Sequence, residues 1–136
     1  MTPFALLALV LFGHWMSERP QVATINRSLD ATKHDLRGVA TVVHEEPAEA
    51  RGFVCCGDGG PSGSVILRGN GDVSRTTQAI RKALIARGWT LSTPDGEWFE
   101  ASRGSLTVEI NVFTITDGSL DPDFSAGQTQ VFVTSR

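Results

Sequence analysis

The sequence predicts an α+β domain over residues 64–136, with one helix packed on a mainly antiparallel sheet. Several short stretches alternate apolar and polar residues and are separated by Gly-rich turns, which is typical of half-buried strands. One stretch, from Asp72 to Gly88, has apolar residues at helical spacing instead and ends in a helix-closing glycine. The resulting order, β-α-β-β-β-β, places a single helix on one face of the sheet.

The helix has a recognisable beginning and end. Asp72 or Ser74 can cap its first turn after the turn that Gly69-Asn-Gly71 makes. At its other end, Gly88 occupies the position where a left-handed residue closes a helix, so that Trp89 and Leu84 are expected to meet across a Schellman turn.

The strands of the domain follow the apolar patterns on either side of the helix. A first strand is predicted at Ser64–Arg68, and further strands at residues 89–93, 97–103, 105–116 and 128–134. In the longest strand, the even-numbered residues from Leu106 to Val112 are apolar, and the odd-numbered residues from Thr107 to Asn111 are polar. One face of the sheet is therefore left open, as a place for a partner or for a helix from the N-terminal part of the chain.

Upstream of this domain, residues 18–46 predict an amphipathic helix. From Val22 to Val43, apolar residues recur at alternating spacings of three and four, with Thr32 filling the one gap, as in a heptad repeat. Two fates are consistent with this pattern: a short coiled-coil stalk that dimerises the protein beside a membrane, or a helix that packs on its own domain. Residues 47–63 are rich in Gly and Pro, and this composition predicts a linker.

Residues 1–17 predict a signal or membrane-anchor segment. The run from Phe4 to Gly13 is apolar, and Trp15 after it suits a membrane–water interface. The run is short for a spanning helix and has the length of a signal-peptide core, but it lacks a preceding basic residue and a clear cleavage site. We expect the domain to be tethered to a membrane on the extracytoplasmic side, or to be secreted if the segment is cleaved.

Charge is unevenly distributed along the chain. The formal net charge of −3 argues against a general nucleic-acid binder. Residues 52–88 carry five basic and two acidic side chains, whereas residues 89–136 carry two basic and seven acidic ones. This asymmetry predicts that the basic helix complements acidic strands within the domain.

The element order and the helix closing in Leu84-Ile-Ala-Arg-Gly-Trp89 resemble small exported or membrane-anchored bacterial α+β domains that have no assigned activity. The resemblance covers roughly half of the chain and implies a fold and a location. It implies no functional residue.

Cys55 and Cys56 are the candidate reactive residues. Adjacent cysteines can form a strained vicinal disulfide, bridge two chains in an oxidising compartment, or remain ordinary thiols. These alternatives stay open in the sequence.

Other constellations of polar residues do not form a catalytic, cofactor or metal motif. Gly69–Ser74 lacks the third glycine of a dinucleotide-binding turn, and the acidic residues between 117 and 123 lack the spacing of a calcium loop. Glu97, Glu100 and Glu109 can face one another across strands. We therefore predict no enzyme activity, catalytic residue, cofactor or metal, and a binding or structural module that acts through protein contacts, with a protein partner or a homodimer. The alternative is a thiol-based, redox-responsive or disulfide-linked protein that uses the adjacent cysteines.

Overall fold

A computed structural model of the protein describes residues 20–49, 60–116 and 124–136. These residues contain two helices, α1 and α2, and one six-stranded sheet with the strand order β1-β2-β6-β5-β4-β3. The described part of α1 covers residues 20–35, and α2 is Val73–Ala86. The strands are β1 (Ala40–Glu46), β2 (Gly63–Gly69), β3 (Thr90–Leu91), β4 (Trp98–Arg103), β5 (Leu106–Thr114) and β6 (Thr129–Ser135).

The predicted fold class is confirmed for residues 64–136. The order β2-α2-β3-β4-β5-β6 is the predicted one, and every neighbouring pair of strands is antiparallel. The strand after α2 is shorter than expected, because only Thr90 and Leu91 pair with β4.

The predicted ends of α2 are also confirmed. Asp72 caps the helix, and its carboxylate accepts a hydrogen bond from the Arg75 amide at 2.8 Å. Gly88 adopts a left-handed φ of 88°. Its amide donates to the Ile85 carbonyl and the Trp89 amide donates to the Leu84 carbonyl, which is the hydrogen-bond pattern of a Schellman turn.

The helix predicted over residues 18–46 is wrong in its last third. The helical residues end at 35, and Ala40–Glu46 forms the edge strand β1, which pairs with β2. Gly38, with a φ of 90°, allows the chain to reverse at this point. The residues beyond it include the β-branched run Thr41-Val-Val43, which favours a strand once a neighbouring strand offers hydrogen bonds.

The apolar stripe of α1 packs on the chain's own domain. Ile25, Leu29 and Leu36 belong to the same core cluster as the buried residues of β2, β5 and β6, and Thr32 is also buried. The apolar stripe is therefore buried against the chain's own sheet. The stretch predicted as a linker, residues 47–63, ends at the first residue of β2, and residues 47–62 connect two neighbouring strands of one sheet, because β1 and β2 are paired.

Both helices lie on the same face of the sheet. The Asn26 side chain pairs with both backbone groups of Ala48, and the Ser28 hydroxyl accepts a hydrogen bond from the Thr107 amide. Since Ile25 and Leu29 share their core cluster with Ile80 of α2, the expectation that an N-terminal helix covers the opposite face is wrong.

The predicted signal or anchor segment, residues 1–17, lies outside the described residues. Among the residues that are described, no helix has both the length and the hydrophobicity needed to cross a membrane.

Candidate functional site

The sheet face opposite the two helices, called the open face below, carries side chains in rows that run across the strands. Residues on this face alternate along each strand with those of the core, because successive side chains point to opposite sides. One row, the aromatic row, crosses five strands through successive cross-strand partners. Its members are His44, Ile66, Phe132, Asn111 and Trp98.

Trp98 is the most exposed large apolar side chain among the described residues, at 67% of its full accessible area. Its indole Nε1 donates a hydrogen bond to Glu109 Oε1 at 2.7 Å. An exposed tryptophan leaves water-accessible apolar area that association could bury, and the hydrogen bond restricts the ring before a partner arrives. The Trp98 ring is therefore both largely exposed and held by a hydrogen bond.

A second row, the acidic row, lies beside the aromatic row. It consists of the cross-strand partners Glu46, Ser64, Thr134, Glu109 and Glu100. Glu100 and Glu109 stand directly opposite each other and, with Arg136 and their neighbours, line a shallow cavity of about 260 Å³. Two carboxylates in direct cross-strand opposition repel each other, and a cationic group placed between them would relieve that repulsion.

One end of the open face is already occupied. Arg68 of β2 lies against the ring of Phe124, with 5.4 Å between its guanidinium carbon and the ring centroid. Phe124 and Ile115 are buried, yet neither belongs to the core cluster beneath the helices. The accessible part of the face is therefore the part that carries the aromatic and acidic rows.

Polar groups on the helix-covered side are engaged in packing. Asp35 of α1 is buried and accepts hydrogen bonds from Trp89 Nε1 and Arg103 Nη1, each at 2.8 Å. The Arg103 guanidinium also lies 4.8 Å from a Trp89 ring centroid. This cluster connects the end of α1 to the end of α2 and to β4. We assign it a role in stabilising the fold.

Arg81 of α2 is buried although it is charged. Its guanidinium donates to the carbonyl oxygens of Thr93 and Gly96 at 2.6 and 2.7 Å and lies 4.1 Å from the Phe99 ring centroid. The long side chain reaches the β3–β4 turn, where carbonyl oxygens and an aromatic face replace water around the charge.

The predicted complementarity between the basic helix and the acidic strands is also wrong. No ion pair among the described residues joins α2 to a strand. Arg75 and Lys82 point outward from α2, whereas Glu100 and Glu109 lie on the open face, on the other side of the sheet. The exposed cations of α2 and the carboxylates of Glu100 and Glu109 are therefore displayed on opposite surfaces of the molecule.

The remaining sequence candidates have different outcomes. Cys55 and Cys56 lie outside the described residues, as does the acidic segment 117–123. Glu100 and Glu109 do face each other, and Asp72 serves as a helix cap. Among the described residues, no group of three His, Cys, Asp or Glu side chains is arranged to hold a metal ion.

The exposure of Trp98 has only a partial signal in the sequence. Trp98 and Glu100 are two residues apart, so they lie on the same side of the strand. A charged residue indicates the side that faces water. Phe99 between them is buried at 3% exposure. The charged residues alone do not distinguish the two aromatic residues, because alternation also places Glu97 and Arg103 on the side of Phe99.

The comparisons with known proteins add no assignment. The chain matches no family model, and neither the curated proteins nor the solved structures include a match to it.

Proposed function

We propose that this protein is a binding module, tethered to a membrane on its extracytoplasmic side, that acts through protein contacts made by the open face. The observation that carries the proposal is Trp98: an indole that is 67% exposed and held by a hydrogen bond on the open face. Tryptophan is enriched among the residues that dominate binding energy in protein interfaces.

The neighbours of Trp98 support a protein partner. Phe132 and Ile66 continue the aromatic row as half-buried apolar groups, and the acidic row beside them supplies charged hydrogen-bond acceptors. A partly apolar centre with a polar margin is the usual composition of a protein interface.

The open face is tested by crosslinking in cells. A photoreactive phenylalanine analogue at exposed position 111, beside Trp98, is expected to capture a protein, and the same analogue at exposed position 70 serves as the control. Adding Trp98→Ala should reduce capture from position 111 by about tenfold or more, since tryptophan anchors typically contribute 2 kcal/mol or more. Equal capture from both positions, or capture unaffected by Trp98→Ala, would count against the proposal.

The tether is a separate part of the proposal, and it is supported by the apolar run from Phe4 to Gly13 with Trp15 after it. We expect the full-length protein to sediment with membranes and to be digested by protease added to cells whose outer surface has been made accessible. Recovery of all of the protein in the cytosolic fraction would contradict this part.

The adjacent cysteines support a second candidate function, a redox-responsive or disulfide-linked protein. Residues 47–62 connect the paired strands β1 and β2, so Cys55 and Cys56 are carried on the connection between two neighbouring strands. Replacing both with Ser and comparing gels with and without reductant tests this candidate. Unchanged function and mobility after Cys55→Ser and Cys56→Ser would exclude it.

A further inference from the structure

The outer surface of α2 carries a stripe of exposed residues that the core does not use, called the basic stripe below. Arg75, Gln78, Lys82 and Ile85 are all exposed and recur at spacings of three and four, which places them on one side of the helix. Ile85 is 61% exposed. The sequence of α2 contains no acidic residue, and the only nearby carboxylate at its start, Asp72, is engaged as the cap.

The basic stripe and the open face are complementary in charge and in apolar content. The stripe offers two cationic side chains and an exposed isoleucine. The open face offers an exposed tryptophan and the carboxylates of Glu46, Glu100 and Glu109, which outnumber the exposed cation beside them, Arg136. From Arg75 to Ile85 the stripe is about 15 Å long, at ~1.5 Å per residue. The acidic row spans four strand spacings, or about 19 Å. The two surfaces are comparable in length.

These two surfaces cannot meet within one molecule. The body of α2 packs against the covered face of the sheet, so that its basic stripe points away from the sheet on the side opposite the open face. Ion pairing between them requires two copies of the chain.

We propose that this protein self-associates head to tail, with the basic stripe of one copy docked on the open face of the next. The inference rests on the function proposed above and names a second copy of this chain as the partner of the open face. Because the two surfaces differ and lie on opposite sides, each copy can engage two neighbours, and the contact generates open chains instead of a closed dimer.

The contact has a predictable salt dependence. Its charged groups are solvent-exposed in the single copy, and the screening length falls from about 10 Å at 0.1 M salt to about 3 Å at 1 M. Sedimentation velocity of the full-length protein should therefore show a concentration-dependent series of oligomers at low salt and chiefly single copies at about 1 M salt. Non-ionic detergent is present throughout to shield the apolar residues 4–13, and reductant excludes links through Cys55 or Cys56.

Two neutralised variants test which surfaces meet. One carries Arg75→Gln and Lys82→Gln on the stripe, and the other carries Glu46→Gln and Glu100→Gln on the open face, leaving Glu109 to hold Trp98. Each variant alone should fail to form chains, while an equimolar mixture should form a 1:1 dimer that does not grow, because one intact stripe and one intact face remain. Arg27→Gln on α1, combined with Arg37→Gln in the turn after it, removes the same charge from other exposed positions and should leave association unchanged.

Single copies of the wild-type protein at every concentration in low salt would overturn the inference, as would oligomers that persist in both neutralised variants. A mixture of the two variants that remains monomeric would also overturn it. Capture of a different protein from position 111, together with a monomeric purified chain, would overturn self-association but leave the proposed binding function standing. No capture from position 111 would overturn the function itself.

Discussion

The two faces of the sheet use their aromatic and charged residues in different ways. On the covered face, Trp89 is 3% exposed and its indole bonds to buried Asp35, so that the ring contributes to the core. On the open face, Trp98 also bonds to a carboxylate, that of Glu109, yet its ring remains largely in water. An indole hydrogen-bonded to a carboxylate is thus part of the core on the covered face and is exposed to solvent on the open face. Burial of the ring, and not its hydrogen bond, distinguishes the two roles.

The strongest test of this contrast uses neighbouring residues of β5. Ile110 is fully buried on the covered face and Asn111 is exposed on the open face. Ile110→Ala should lower the free energy of unfolding by about 3 kcal/mol through lost burial and a cavity. Asn111→Ala should change it by no more than about 0.5 kcal/mol. Urea denaturation followed by circular dichroism measures both, and similar losses would show that the open face is also packed.

A smaller loss is expected from the buried carboxylate of the covered face. Asp35→Ala leaves Trp89 Nε1 and one Arg103 donor without their acceptor, which should cost about 2–3 kcal/mol of unfolding free energy. Asp30→Ala, which removes an exposed carboxylate from the same helix, is the matched control and should cost less than about 1 kcal/mol. A loss for Asp35→Ala no greater than that of the control would contradict the structural role of this cluster.

The turn that leads from α1 to the edge of the sheet contains Gly38, and substituting this residue should lower the free energy of unfolding through the backbone conformation alone. Gly38 has a φ of 90°, and a Cβ built on it meets no atom within 4 Å. Gly38→Ala should therefore cost about 1 kcal/mol of unfolding free energy, entirely from the left-handed conformation. Gly38→Asn should cost less, because asparagine visits this conformation more readily. Equal stability of Gly38→Ala and the wild type in thermal unfolding would show that the turn can relax.

The smallest effect concerns the pair that joins α1 to β1. The hydrogen bond from Lys33 to Glu45 raises the pKa of Lys33 above its ordinary value of 10.5, partial burial opposes the rise, and Asp30 adds to it. A raised pKa in the folded state means that the stabilisation is complete below pH 10.5 and is lost as the pH rises through the folded value. Lys33→Met should therefore cost about 0.5 kcal/mol at neutral pH, and the pair's contribution to this difference should fade in alkali. Unfolding curves from pH 7 to 11 measure the difference, and a contribution that grows with pH would contradict the assignment.

The fold was predictable where local patterns decide it. The alternation from Leu106 to Asn111 and the Gly88-Trp89 helix end both depend on residues close in the sequence, and both are present in the structure. The apolar stripe of α1 was recognised for the same reason.

Features that depend on distant residues were not predictable in this way. The heptad spacing continues past Gly38 by coincidence. Val39 fits the helical pattern but lies in the turn before β1, and Val43 fits it but lies within β1, whose pairing with β2 decides the structure there. The Asp35–Arg103 contact joins residues 68 positions apart. The separation of the basic stripe from the open face depends on which side of each element is left exposed after packing. The distribution of charge along the sequence does not contain that information.

The position of β6 has a consequence for how the chain folds. β6 lies between β2 and β5 in the middle of the sheet, although it comes last in sequence among the described strands. Without it, the described strands separate into a β1–β2 hairpin and a β3–β4–β5 meander that share no strand pairing. During synthesis, the sheet cannot be completed until residues 129–135 have left the ribosome, and the non-local pairing of β2 with β6 predicts slow folding. The two groups of strands therefore cannot join into one sheet until β6 is available to pair with both β2 and β5.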